Sequence, residues 1–287
     1  MIKIARNSIY DACMPVKMQQ YPNGDPYIKY GDLRYFRKLL IQPESLTEFM
    51  AALFFVDALQ DRGAIHPDGL NVLIPFLPGS RQDRLFGDGD VLFAAKSIAK
   101  EINARSFARV FTLDAHSEVS VGMIDRCYNV PAEEMLDIAS RNKIQFPEYA
   151  GIISPDAGAE KRASGFAKKL TLPVIHGWKS RDVATGMLKG FGVEPLEAGK
   201  HYLIVDDICD GGGTFLGLQE VIEAMGCTAD LYVTHGIFSQ GTEKLLEKFG
   251  NIYTTDSTTF DKQGVTVIGA VSEGCSHGGN TYGVFGF

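Results

Sequence analysis

YLIVDDICDGGGTFLGLQEVIEAMG, residues 202–226, sets an apolar, β-rich run directly against two adjacent aspartates, Asp206 and Asp207. Asp210 follows, then Gly211, Gly212, Gly213 and Thr214, and then an amphipathic stretch. The run reads as a buried strand, the glycines as a loop and the remainder as a helix. In open α/β sheets ligands bind beyond the carboxyl ends of strands, and the two acids sit at such an end. Glycines let a backbone approach a ligand closely, and amides at a helix N-terminus favour a phosphate. Neighbouring carboxylates are poor partners for phosphate but suit sugar hydroxyls or a hydrated Mg²⁺. The stretch therefore fits a ligand with a phosphate at one end and vicinal hydroxyls at the other, as in a ribose 5-phosphate unit. The bland alternative is an ordinary strand-turn-helix with acidic caps.

Working outward, strand-like and helix-like segments alternate along most of the chain. NVLIPFLP (71–78) precedes DVLFAAKSIAKEINARS (90–106), RVFTLDAHS (109–117) precedes PAEEMLDIASRN, and GIISPD precedes AEKRASGFAKKL. LYVTHGIF and TEKLLEKFG repeat the pattern after the opening stretch. Such alternation favours parallel sheets flanked by helices. Strands ending in acids or imidazole occur in both halves, LDAH in the first and SPD and VDD in the second. Two similar α/β domains are expected, residues 1–142 and 143–287. From about residue 258 the chain is rich in glycine, serine and threonine and reads as strand and loop.

Bulk properties set the context. The 287 residues are 45% hydrophobic and 22% charged, ordinary for a globular protein with a full core. A formal net charge of −7 argues against a general nucleic-acid binder, so an anionic substrate must be held by local groups. MIKIARNSIYDACM lacks the apolar core of a signal peptide, and no apolar run is long enough to span a bilayer. Five scattered cysteines, never in a C-x-x-C pair, read as reduced thiols. A cytoplasmic protein without membrane or nucleic-acid partners is the expectation.

The 202–226 stretch resembles the phosphoribosyl-binding signature of the type I phosphoribosyltransferase superfamily, and other segments point to one class within it. IPFLPGSRQDRLF (74–86) carries Arg81, Gln82, Asp83 and Arg84 and resembles the ARQDR motif of the ribose-phosphate diphosphokinases, which helps hold ATP. LDAHSEVSVG (113–122) resembles their DLHAxQxQG segment, with His116 as a ligand or orienter of Mg²⁺–ATP. YPNGDPYIKY (21–30) is similar to FPDGE, with Tyr21 on adenine and Asn23 and Asp25 replacing Asp and Glu; a simple turn is the competing reading. SPDAGAEKRA (154–163) resembles SPDxGGxxRA, which makes Asp156 the second metal contact, with Arg162 in the following helix. HGWKSRD (176–182) matches the family's flexible KRR loop, keeping Lys179 and Arg181 as the catalytic cations.

The resemblance implies transfer of the β,γ-diphosphate of Mg²⁺–ATP to the anomeric hydroxyl of ribose 5-phosphate, with AMP released. Asp206 and Asp207 would hold the ribose and a Mg²⁺ shell, and Asp210 through Thr214 the 5-phosphate. Because the FPDGE element serves a neighbouring subunit in the family, self-association as a dimer or hexamer is expected. Departures are visible too. The family's DTAGT loop is DGGGT here, which removes a hydroxyl donor and adds room. That leaves ADP-ribose, the acceptor of phage diphosphokinase relatives, as an alternative acceptor. AHSEVSV lacks the family's glutamines, and the chain ends in VFGF where the family has a helix. A non-catalytic regulatory relative is the remaining alternative, although its members tend to lose the acidic or cationic loop that stands here.

Overall fold

The computed structural model describes residues 2–5, 14–29, 36–66, 69–85, 93–181 and 188–272. The chain divides into two compact units, each with its own sheet. Among the described residues the first runs to Val130 and takes back Ser257–Thr259 and Val271–Ser272; the second holds Pro131–Asp256 and Phe260–Ala270.

The first unit contains β1 (Ile2–Ala5), β2 (Met14–Val16), β3 (Met18–Gln20), β4 (Pro26–Ile28), β5 (Lys38–Ile41), α1 (Leu46–Asp61), β6 (Asn71–Leu73), α2 (Ala94–Asn103), β7 (Arg109–Leu113), α3 (Glu118–Gly122) and β8 (Cys127–Val130). Its sheet has the order β2-β1-β5-β6-β7-β8. Strands β5 to β8 are parallel, and β1 and β2 extend the edge antiparallel. β3 and β4 form a separate hairpin. Helix α1 starts where the Ser45 side chain accepts from the Glu48 amide at 3.2 Å, a standard N-cap. It is apolar nearly all round, and Phe49, Leu53 and Val56 are fully buried.

The second unit contains α4 (Glu134–Arg141), β9 (Ile152–Ser154), α5 (Glu160–Leu170), β10 (Val174–Arg181), β11 (Leu188–Val193), β12 (His201–Cys209), α6 (Gly213–Ala224), β13 (Thr228–Gly236), α7 (Glu243–Leu246), β14 (Ile252–Thr255) and β15 (Thr266–Ile268). Its sheet has the order β11-β10-β9-β12-β13-β14-β15, parallel except at the β11 edge. Ile153, Ile204, Leu231 and Val233 of the central strands pack with Leu218 and Ile222 of α6. Strands buried on both faces need continuous apolar runs, which is why LIV in residues 203–205 is unbroken.

The α/β architecture with parallel sheets and flanking helices is as the alternation implied. The division falls at Val130/Pro131, before the expected 142/143, because α4 is held to the second unit. Lys169 of α5 pairs with Asp137 at 2.8 Å and Glu134 at 3.2 Å, and the Gly269 amide donates to Asn142 Oδ1 at 2.8 Å. Past residue 258 the expectation of strand and loop needs one correction. β15 is there, but residues 270–272 turn helically, with Ala270 and Val271 buried. The segment beyond, including Cys275 and the VFGF end, lies outside the described residues, as does Cys13. Cys127, Cys209 and Cys227 are not in disulfides. Burial pushes the Cys127 thiol up to about 11, so it is inert near neutral pH.

Candidate active site

In the second sheet chain order reverses at β9: β10 lies on one side of it and β12 on the other. A crevice at such a switch point, outside the carboxyl ends, is where open α/β sheets bind ligands. The turn after β9 carries Asp156, and the last residues of β12 with the segment after it carry residues 206–214.

After β9 the chain turns at once. Asp156 Oδ1 accepts from the Gly158 amide at 2.9 Å, and Ser154 Oγ donates to the Asp156 carbonyl at 2.7 Å, which fixes the carboxylate. Lys179 Nζ donates to Asp156 Oδ2 at 2.7 Å. The sequence places Lys179 and Arg181 in a flexible loop; the structure puts both on β10, paired in an antiparallel ladder with β11. Gly177 makes the placement possible, since a Cβ there would stand 2.9 Å from the Ser154 carbonyl oxygen. Residues 182–187 lie outside the described residues.

The paired acids do not share one environment. Asp206 is half-buried, whereas Asp207 is buried and lies 3.5 Å from the guanidinium of Arg162 on α5. The Asp207 amide donates to Asp206 Oδ1 at 2.8 Å. Burial first, and then the charge of Asp207, push the Asp206 carboxyl well above the usual range, against the opposing pull of that amide and Arg162. A carboxylate so loaded gains from a cation or a hydroxyl donor.

The glycines of the loop differ in what they are for. Gly212 caps α6 at φ +77°, and a Cβ there would meet Leu245 at 3.1 Å, so both backbone and packing call for glycine. Gly211 has an ordinary φ and would meet only Gln240 Cγ at 3.7 Å; around Gly213 there is open space. Gly211 and Gly213 are exposed and Thr214 is half-buried, so the first turn of α6 faces outward with its amides and dipole. Asp210 is tied at its carbonyl, which accepts from the Ser239 amide at 3.1 Å. Buried Cys209 fills the core.

In the first unit, Arg81 and Gln82 are exposed, but Asp83 is turned inward at 2% exposure. Its carboxylate takes a 2.8 Å bond from Arg84 Nε and a further hydrogen bond from Ser117. Arg84 first, with Ser117 and His116 adding to it, holds the Asp83 carboxyl below its ordinary value despite burial. Asp83 thus joins the RQDR turn to half-buried His116, two segments that the sequence leaves thirty-odd residues apart. Asp114, just before that histidine, is buried and held at φ +33°, a strained conformation that nothing in the sequence announces. YPNGDP is the tip of the β3–β4 hairpin. Asn23 Nδ2 donates to Asp25 Oδ2 at 2.6 Å, so these two polar groups engage each other. Tyr21 remains 56% exposed, its ring 4.6 Å from that of Tyr27.

The structure therefore brings Asp156, Lys179, Asp206 and the α6 N-terminus to one end of the second sheet. It brings Arg81–Asp83 and His116 together in the first. Among the described residues no three His, Cys, Asp or Glu side chains form a ready metal cage. Hard carboxylates such as Asp156 and Asp206 suit Mg²⁺, which keeps waters and leans on substrate phosphates. No described helix is long and apolar enough to cross a membrane.

Comparison with known proteins shows the family and the fold. No protein-family model matches the chain. The ribose-phosphate pyrophosphokinase of Cereibacter sphaeroides is 33% identical over 232 residues, covering 78% of this chain and 67% of that protein. The enzyme of the same name from Pyrococcus furiosus is 28% identical over 243 residues, covering 81% and 82%. The crystal structure of phosphoribosylpyrophosphate synthetase from Mycobacterium smegmatis superposes with a TM-score of 0.74 at 22% identity, over 88% of this chain and 85% of that one, and so shares the fold. The chain belongs to the ribose-phosphate pyrophosphokinase family.

Proposed function

We propose that this protein transfers the β,γ-diphosphate of ATP to the anomeric hydroxyl of ribose 5-phosphate, releasing AMP. The observation that carries the reading is the switch point of the second sheet. There a fixed carboxylate–ammonium pair, Asp156 and Lys179, and a charge-loaded Asp206 are followed by a helix N-terminus opened by Gly212. The anomeric oxygen attacks the β-phosphorus in line, the new O–P bond forms, and the bond from that phosphorus to the oxygen it shares with the α-phosphate breaks. Such a transfer asks the protein for position and charge rather than for a covalent nucleophile.

In this reading Asp206 accepts from the ribose hydroxyls, while Asp207 and Arg162 beneath it fix the strand end. The amides of the first turn of α6, with Thr214, take the 5-phosphate. Lys179 exchanges Asp156 for the transferring diphosphate and stabilises the charge that builds on its oxygens; Arg181 adds a second cation. Arg81, Gln82 and His116 serve the nucleotide, with Asp83 orienting the turn through Arg84 and Ser117. The exposed Tyr21 ring serves adenine from a neighbouring copy, and Asn23 and Asp25 shape that hairpin tip. Mg²⁺, when bound, neutralises phosphate charge, and Asp156 and Asp206 are the carboxylates suited to hold it.

One observation bears on the acceptor. The fold does not require glycine at 211, so the missing side chain leaves room beside the 5-phosphate loop for a larger 5-substituent. The deciding assay supplies Mg²⁺–ATP with ribose 5-phosphate or ADP-ribose in parallel, measures AMP and identifies products by mass. AMP with ribose 5-phosphate is the expected result. AMP with ADP-ribose alone transfers the chemistry to that acceptor, and no AMP with either defeats the enzymatic reading.

A further inference from the structure

Two aromatic side chains outside the acidic and glycine loops bear on where Lys179 stands. In the β10–β11 ladder Lys179 is the cross-strand partner of Phe191, and Trp178 is the partner of Gly192. Residues directly opposite in an antiparallel pair project to the same face. Lys179 and Phe191 therefore share one face of the hairpin, and Trp178 and Gly192 share the other.

Each face carries an aromatic ring seated on a glycine. A Cβ added to Gly217 of α6 would overlap the Phe191 ring and stand 3.0 Å from its Cζ. A Cβ added to Gly192 would overlap the Trp178 indole. Neither glycine has a left-handed φ, so backbone conformation does not call for them; the approach of the rings does. Glycine inside a helix costs about 1 kcal/mol relative to alanine, which makes Gly217 informative. It lies one turn after Gly213, on the helix whose first turn follows the Asp206–Gly212 segment.

We propose that Phe191 seated on Gly217 is a positioning contact. It fixes the β10–β11 hairpin to the phosphate-loop helix and so sets where Lys179 presents its ammonium. Asp156 holds the ammonium at 2.7 Å, and Phe191 holds the strand behind it. Lys179 and the sugar-phosphate loop are thereby located by one rigid body, α6, rather than by two independent ones. The proposal rests on the diphosphate transfer described above.

Steady-state kinetics and the fluorescence of Trp178, the chain's single tryptophan, test it together. Phe191→Ala and Gly217→Ala should each lower kcat about 10- to 100-fold, as a misplacement of roughly 1 Å does, with KM for ATP and sugar changed less than about threefold. Both should shift Trp178 emission and its quenching by acrylamide. The double variant Gly217→Ala/Phe191→Leu, in which a smaller side chain makes room for the added methyl, should recover most of kcat and the native emission. A Gly217→Ala protein with wild-type kcat and unchanged Trp178 emission overturns the proposal. So does a loss of kcat that the double variant does not restore while thermal unfolding stays native. An inactive wild-type protein defeats the diphosphate-transfer reading instead, and the Trp178 readout still decides whether the contact holds the hairpin.

Discussion

The first unit runs its parallel strands in chain order, β5-β6-β7-β8, whereas the second reverses at β9 and puts β10 and β12 on opposite sides of it. Both are parallel sheets with an antiparallel edge, yet only the second has a switch point among its parallel strands. The consequence is where the charge sits. In the second unit Asp156, Lys179, Asp206 and Asp207 stand toward the carboxyl ends of neighbouring strands, and the Asp206 carboxyl is held well above the usual range. In the first, the acid of the RQDR turn is folded inward onto Arg84 and Ser117, while Arg81 and Gln82 are exposed. A charge-concentrating site and a shape-giving turn are therefore carried by two sheets of otherwise similar build.

Breaking the charged side should have the largest effect. Lys179→Ala removes the ammonium from Asp156 and is expected to cut AMP formation about 10²- to 10³-fold, measured as kcat with both substrates saturating. Asp207→Asn removes the carboxylate paired with the Arg162 guanidinium, which is only 10% exposed. A loss of about 3 kcal/mol is expected, read from chemical denaturation followed at Trp178 of the same unit. A native denaturation midpoint would show that Asp207 is dispensable to the fold.

Asp206→Asn sharpens the comparison, because stability and activity should move apart. The folded carboxyl is raised above its unfolded value near 3.9. Between the two values the folded state binds more protons than the unfolded one, so stability falls as pH rises through that window. Asparagine removes the effect and keeps the acceptor for the Asp207 amide. The ligand-free variant should melt about 1–3 °C higher at pH 7, with a flatter pH dependence, and should lose most of its activity. A lower melting temperature would mean that Asp206 is compensated in the folded state.

Gly212→Ala should destabilise by about 1–3 kcal/mol through its φ of +77° and Leu245, whereas Gly213→Ala should be near neutral. Equal costs at both positions would erase the distinction drawn between them. The smallest effect belongs to the first unit. Asp83 has a depressed folded value, so its contribution is present at neutral pH and lost as pH falls through that value. Because Arg84 is 65% exposed, solvent screens the pair, and Arg84→Ala should move the acid midpoint only slightly upward.

Much of the site could be read from order and residue type. The apolar run of 202–205 with its acids, the glycine loop, SPD and RQDR each keep a local signature that propensity and motif resemblance detect. Phe191 and Gly217 were missed because an aromatic residue in a strand and a glycine in a helix look unremarkable singly; only their approach makes them a pair. For Asn23 and Asp25 the motif likeness points to a ligand, and the folded hairpin adds that their side chains bond to each other across the turn. Lys179 and Arg181 read as loop residues because a short polar stretch carries no strand period, and the register of β10 against β11 is not written in either strand alone.

What the sequence by itself determined is the alternation of strands and helices, the places where strands end in acids, and the glycine that α6 needs at 212. Those depend on short-range periodicity, backbone sterics and capping, which act within a few residues. Tertiary structure alone decided that Asp207 is buried against Arg162 beside a half-buried Asp206, that Asp83 faces inward, and that Lys179 stands opposite Phe191 on a hairpin seated against α6. Those outcomes depend on burial, on desolvated charge and on strand order, which exist only once distant segments pack together.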